Sequence, residues 1–342
     1  DDVAEHAAVH ETVEAARVLQ LSFATGFLNA VLRRCTRERE ALRARLRQKP
    51  LALRTSHPDA LVKRWVHRFG RPAAESLCDW NNSIPGVCLR PHTLRCSLDD
   101  LRRALDERGI RSAPHPARPG EFLELAHGWR VRDVPGYEEG WFTVQDPSTA
   151  AAVDLLQLRP GQAVLDVCAA PGGKTALIAD RLQGSGRIVA LDRYEDRLRT
   201  LRSTLGRLRL SGVRVQQADA GRPASLSTAL GDDRFDRVLL DVPCTNTGVL
   251  RRRPDARWRF NADRLQSLTA LQLRLLTAAA RHLAEGGILV YSTCSLEREE
   301  GADLVRTWLE AATGFEQLDE RLLLPPRDAT DGAYAAAFRK KP

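Results

Sequence analysis

Two cysteines stand just past two apolar runs, Cys244 in "LLDVPCTNTG" and Cys294 in "LVYSTCSLERE". A thiol attacks as its thiolate. A lone cysteine in such a place is usually a packed small hydrophobe, but two at successive run ends, in turns carrying Thr and Ser, point to nucleophilic chemistry. Aspartates have the same placement: Asp166 closes "AVLDV", Asp192 "RIVALD", Asp219 "VRVQQAD", and Asp241 "RVLLD" shortly before Cys244. Each could be a turn or cap residue. Three at consecutive run ends, joined by Asp241 beside a thiol, suit a ligand site better.

The runs must be strands for these residues to meet. They alternate with helical segments such as "GGKTALIADRL" and "EDRLRTLRSTLGRL", the pattern of βαβ units around a parallel sheet. The clearest helix runs from Ala262 to Ala284, with Leu265, Leu268, Leu275, Leu276 and Leu283 on one side and Gly286-Gly287 as its stop. This predicts a doubly wound, Rossmann-like α/β domain, whose ligands sit outside the carboxyl ends of the strands.

The turn after the first strand, "DVCAAPGGKT", ends like a phosphate-binding loop. A P-loop needs a glycine five positions before Gly173, where Cys168 stands, and Pro171 removes a backbone donor. The dinucleotide pattern G-x-G-x-x-G is also absent. A nucleoside without phosphates fits better, its ribose on Asp192, its adenine edge near Asp219 and a positively charged sulfonium among carboxylates. That describes a methyl-donating nucleoside.

A thiolate beside a methyl donor suits alkylation of a pyrimidine carbon. Addition to C6 of cytosine pushes electron density onto C5, which takes the methyl group. A base then removes the C5 proton so that the thiol can leave. A carboxylate facing N3 and the exocyclic amine stabilises the addition, and Asp241 is placed for it. The base must leave its stack to be reached.

Composition agrees with an RNA substrate. The 342 residues suit two or three domains and carry a formal charge of +8. The excess is local: eight basic residues lie between Arg33 and Lys49, and "RRRPDARWR", Arg251 to Arg259, sets five arginines around Asp255 and Trp258. Clustered arginine beside an aromatic suits a polyanion with stackable bases, although a solvated helix face explains the first cluster equally well. The seven cysteines contain no C-x-x-C pair, which argues against a disulfide framework and a metal site. No apolar stretch reaches the ~18 residues of a membrane span and no signal peptide opens the chain, so a cytoplasmic protein is expected. No oligomer is implied. With no methionine, even at position 1, the chain is expected to begin inside a longer protein.

Upstream, Val13, Ala16, Leu19, Phe23, Phe27 and Val31 recur at helical steps, with one helix or two left open at Gly26. The basic run continues helical to Pro50, and "SHPDALVKRWVHRFG" reads as a capped helix with Leu61, Trp65, Val66 and Phe69 inward. From about Ile84 to Phe142 the pattern is mixed, with "GVCLRPH", "EFLEL" and "WFTVQD" as strands and a helix from Ser97 to Gly109.

"DVCAAPGGKT", "DVPCTNTGVLRRRPDARW" and "YSTCSLEREE" resemble motifs of the RNA 5-methylcytosine methyltransferases. "FATGFLNAVLRR" and "SHPDALVKRW" narrow the resemblance to the bacterial Sun/RsmB (Fmu) small-subunit ribosomal RNA methyltransferases, over nearly the whole chain. The resemblance implies a class I S-adenosylmethionine-dependent domain over 141–342, the end of a NusB-like helical RNA-binding domain over 1–55, and a small α+β domain over 56–140. It implies Cys294 as nucleophile and Cys244 as the cysteine that assists product release. It implies a cofactor loop of Cys168, Ala169, Ala170, Pro171, Gly172, Gly173 and Lys174, with Asp192, Asp219 and Asp241, and 16S rRNA as partner. Two departures stand out: "LRPH" where the family more often has Leu-Arg-Val-Asn, and "TNTG" after Cys244 in place of Ser-x-x-Gly. A transfer RNA substrate, or a catalytically silent RNA-binding assembly factor, are the alternatives.

Overall fold

The protein is described by a computed structural model over residues 4–126 and 128–342. Two compact units, Asp1–Arg71 and Pro72–Pro342, divide it. The first is helical: α1 (Glu5–Val18), α2 (Thr25–Arg37), α3 (Arg39–Arg47), α4 (Leu51–Arg54) and α5 (Asp59–Phe69). The open question near Gly26 resolves as two helices, separated by a short 3-10 turn at Ser22–Ala24. Val13 and Ala16 are buried, but Leu19, Phe23, Phe27 and Val31 are exposed, which corrects the expected inward stripe. Leu19 lies just past the end of α1 and Phe23 in the 3-10 turn, and α2, which carries Phe27 and Val31, has no buried residue. Pro58 opens α5, Gly70 at φ 81° closes it, and Leu61, Val62 and Trp65 face inward.

The second unit begins inside α6 (Arg71–Asn81) and continues with a small antiparallel sheet in the order β2-β3-β1-β4: β1 (Val87–Pro91), β2 (Ser112–Pro114), β3 (Leu123–Leu125) and β4 (Phe142–Val144). Helix α7 (Leu98–Glu107) precedes β2, capped by Ser97, whose hydroxyl accepts from the Asp100 N–H at 3.1 Å.

The larger sheet follows α8 (Ser148–Leu155). Its parallel strands are β5 (Ala163–Val167), β6 (Arg187–Asp192), β7 (Val213–Gln217), β8 (Phe235–Asp241) and β9 (Leu283–Thr293). Between them run α9 (Gly173–Arg181), α10 (Glu195–Arg207), α11 (Pro223–Leu230) and α12 (Ala262–Ala280). After α13 (Ala302–Ala311), the antiparallel β10 (Phe315–Leu323) and β11 (Ala333–Lys340) complete the order β10-β11-β9-β8-β5-β6-β7. Helix α12 stops before the expected glycines, because Leu283 already belongs to β9.

Alternation along β5 sends Leu165 and Val167 into one core with Leu275, Leu276 and Trp308. Val164 enters the opposite core with Val153, Ile178 and Leu182. Helices therefore cover both faces, as continuous apolar strands require. The Leu-Arg-Pro-His variant joins the small sheet to this layer. Arg90 and His92 both bind Asp180 of α9, the latter through Nδ1 at 2.5 Å, and Arg90 Nε donates to Gln145 at 2.8 Å. Removing one partner of a buried ion pair of this kind leaves an uncompensated charge and costs about 3–5 kcal/mol.

Candidate active site

Register brings the two cysteines together. Asp241 pairs with Ser292 across β8 and β9, and the Val242 N–H donates to the Ser292 carbonyl at 2.9 Å. Just beyond that last rung, the sulfurs of Cys244 and Cys294 lie 3.2 Å apart as free thiols. The turn after Cys244 is tied to the turn after Cys294. The Gly248 N–H donates to the Cys294 carbonyl at 2.9 Å, and the Thr247 hydroxyl accepts from the Leu296 N–H at 2.9 Å. Beneath them buried Glu300 accepts from the Thr245 N–H and hydroxyl and from Gln272 Nε2, while Tyr291 donates to its backbone carbonyl. The cysteines are thus set by strand pairing and held by a fully engaged polar network.

Lys174, at the start of α9, extends to Asp241, with Nζ 2.6 Å from Oδ2. Burial works against its charge, but Asp241 more than offsets it, and the ammonium is held above its ordinary pKa. The hydrogen bond with Cys244 pushes the Cys294 thiol well above its usual value; burial and Asp241 add to this and Lys174 opposes it. Asp166 lies below, fully buried. Burial lifts its carboxyl to about 7, although the Thr175 hydroxyl donates to Oδ2 at 2.6 Å, and Oδ1 has no partner.

The glycine-rich turn bends through Cys168 at φ 63° and Gly172 at φ 107°. The Ala169 N–H donates to the Leu191 carbonyl at 2.8 Å and Arg197 donates to the Ala170 carbonyl at 2.5 Å. Beside this turn is a cavity of about 230 Å³ whose walls include Cys168, Asp192, Tyr194, Asp219, Leu268 and Leu271. Asp192 is buried; Oδ1 accepts from the Tyr194 N–H at 3.2 Å and Oδ2 accepts no hydrogen bond, though Arg197 is 3.2 Å away. A buried acceptor without a donor at the end of the second strand fits a ribose hydroxyl. Asp219 is turned partly to its own loop, accepting from the Gly221 N–H at 3.0 Å. Of the expected cofactor residues, Cys168, Asp192 and Asp219 reach this cavity, while Lys174 and Asp241 form the side nearer the thiols.

The arginine cluster is corrected in part. Arg252 bridges Asp146 at 3.1 Å and Asp331 at 2.7 Å. Arg251 lies 4.2 Å over the Trp80 ring, and buried Arg257 donates to Asn82 at 2.9 Å. These three serve internal contacts, because the Asp146 and Asp331 carboxylates and the carbonyls of Asn81, Ile84 and Gly86 lie within their reach. Arg253, Trp258 and Arg259 remain exposed. The sequence reading missed Asn246, whose Oδ1 lies 3.1 Å from the Cys294 sulfur, and the Glu300, Gln272 and Tyr291 network. The "TNTG" departure was the available signal for the first; none marked the second. Among the described residues no group of side chains has metal-ligand geometry, and no helix is long and apolar enough to cross a membrane.

Comparison with known proteins agrees with this geometry. Residues 153–339 match the family model of the 16S rRNA methyltransferase RsmB/F, residues 57–131 its ferredoxin-like domain, and residues 1–37 the NusB family. The chain is 37% identical to ribosomal RNA small subunit methyltransferase B of Serratia proteamaculans and 39% identical to that of Pseudomonas putida. Each comparison covers 98% of this chain and 78% of the relative. A methyltransferase homologue from Pyrococcus horikoshii superposes with a TM-score of 0.73 at 28% identity, over 85% of this chain and 97% of that one. NSun6 from Pyrococcus horikoshii, solved with SFG, gives 0.73 at 20% identity, over 83% and 98%. A NusB-like helical segment followed by a Rossmann-like methyltransferase fold is therefore established, and the chain belongs to the RsmB/F family of 16S rRNA methyltransferases.

Proposed function

We propose that this methyltransferase methylates C5 of a cytosine in 16S rRNA with S-adenosylmethionine, through a covalent bond between Cys294 and C6. The observation that carries the reading is the convergence of two free thiols, 3.2 Å apart, at the carboxyl ends of adjacent strands beside the Lys174–Asp241 pair. The buried Asp192 oxygen that accepts no hydrogen bond and the cavity beside the glycine-rich turn support the cofactor. So does the neighbour holding SFG, an analogue of S-adenosylmethionine. When bound, that group supplies an electrophilic methyl on a sulfonium.

The chain's own residues do the rest. Cys294 releases its proton to solvent and the thiolate adds to C6, so the C5–C6 double bond opens and C5 becomes nucleophilic. Asp241 faces the N3 and amine edge, and Lys174 supplies positive charge beside the developing anion. After methyl transfer a base takes the C5 proton, the double bond reforms, and the C6–sulfur bond breaks with assistance from Cys244. The substrate cytosine is unstacked, with Trp258 and Arg253 available on the surface for neighbouring nucleotides. Nucleoside analysis of 16S rRNA after incubation with methyl-labelled cofactor tests this. Label in 5-methylcytidine is expected; label in another nucleoside, or only in transfer RNA offered in competition, defeats it.

A further inference from the structure

Asn246 is the residue of "TNTG" that neither the fold nor the proposed reaction has used. Its backbone is left-handed, φ 62°, a conformation that glycine and asparagine tolerate best. Glycine would satisfy the turn; asparagine adds an amide, and this one points between the two thiols. Nδ2 donates to the Cys244 carbonyl at 3.1 Å, which fixes which way the amide faces. Oδ1 is then directed at the sulfurs, 3.1 Å from Cys294 and 3.9 Å from Cys244.

An amide oxygen accepts a hydrogen bond from a thiol and repels a thiolate. We infer that Asn246 is a thiol lock: its oxygen holds the Cys294 proton while no cytosine is present and keeps the nucleophile from reacting with other electrophiles. The inference takes its purpose from the reading of Cys294 as nucleophile, but the contact is testable without RNA. The charged and titratable groups that face Cys294 are Cys244 and Asp241 from the end of β8 and Lys174 from the start of α9. All three remain when Asn246 is replaced, and the amide that is lost also touches Cys244, through its carbonyl at 3.1 Å and its sulfur at 3.9 Å.

The experiment is the pH dependence of Cys294 alkylation by iodoacetamide in the full chain, followed by peptide mass analysis so that Cys244 is counted separately. The proton of the thiol goes to solvent in this assay. Asn246→Gly keeps the left-handed turn and removes the oxygen, and is expected to lower the midpoint of the Cys294 profile by about 1 pH unit. Asn246→Asp places an anion there and is expected to raise it. A midpoint unmoved or raised in Asn246→Gly, or lowered in Asn246→Asp, overturns the lock. If Asn246→Gly does not fold, the Asp variant decides alone. Full turnover by Cys294→Ala would instead remove the nucleophile reading and leave the alkylation result standing.

Discussion

Gly248 offers a quantitative test of how tightly the two cysteine turns are coupled. An alanine Cβ there would lie 2.3 Å from the Gly332 carbonyl oxygen and 2.8 Å from the Cys294 carbonyl oxygen. Carbon–oxygen contacts relax at about 3.3 Å or more, so something must yield by roughly 1 Å. The obstructing atoms are backbone. Gly248 also donates to the Cys294 carbonyl and accepts from the Gly332 N–H at 2.8 Å, so relief moves Cys294. Overpacking of this kind costs about 1–3 kcal/mol, and a 1 Å misplacement of a reacting group costs about 10²-fold in rate. Gly248→Ala is therefore expected to lower Tm and to reduce single-turnover methyl transfer by about 10²-fold at saturating RNA and cofactor. Gly206→Ala in α10, where the new Cβ meets nothing within 4 Å, is the control and is expected to fold and turn over as the parent. Gly248→Ala with parental Tm and rate would refute the coupling.

Two further outcomes follow from the buried site. The folded chain holds a proton on Asp166 up to about pH 7, whereas the unfolded chain releases it near the ordinary value of 3.8. Between those values the folded state binds more protons, so this group makes stability fall as pH rises, by at most about 4 kcal/mol. Asp166→Asn keeps an acceptor for Thr175 and should flatten that decline in denaturant titrations from pH 4 to 7; an unchanged slope would contradict it. Cys244→Ala should leave addition and methyl transfer intact while blocking release, giving a slow-migrating protein–RNA complex on a denaturing gel. Absence of that complex with active protein would argue against the separate roles of the two thiols.

Much of the site was legible because strands buried on both faces write themselves as continuous apolar runs. Once β8 and β9 are recognised as neighbours, the positions of Cys244 and Cys294 follow from their distance past the strand ends. Asp192 was legible for the same reason. Strand β10 was not, since it lies at the sheet edge and most of its side chains are exposed or half-buried. Arginine direction was hidden as well: Arg252 and Arg253 are adjacent in sequence, yet one is clamped between Asp146 and Asp331 and the other faces solvent. Charge patterning reports a partner's sign but not whether that partner is RNA or another part of the same chain. Glu300 reads as one of several surface acids in "SLEREE", and only tertiary contacts with Thr245 and Gln272 reveal it as buried. Leu19, Phe23, Phe27 and Val31 show the same limit, because periodicity identifies an apolar face and not what covers it.

The central claim is attack of Cys294 on C6 followed by substitution at C5. Substrate 16S rRNA carrying tritium at C5 of cytidine tests both steps at once. The account predicts one tritium released to water for each methyl group gained, and neither event with Cys294→Ala. Methyl incorporation without tritium release, or tritium release and methylation persisting in Cys294→Ala, would contradict it.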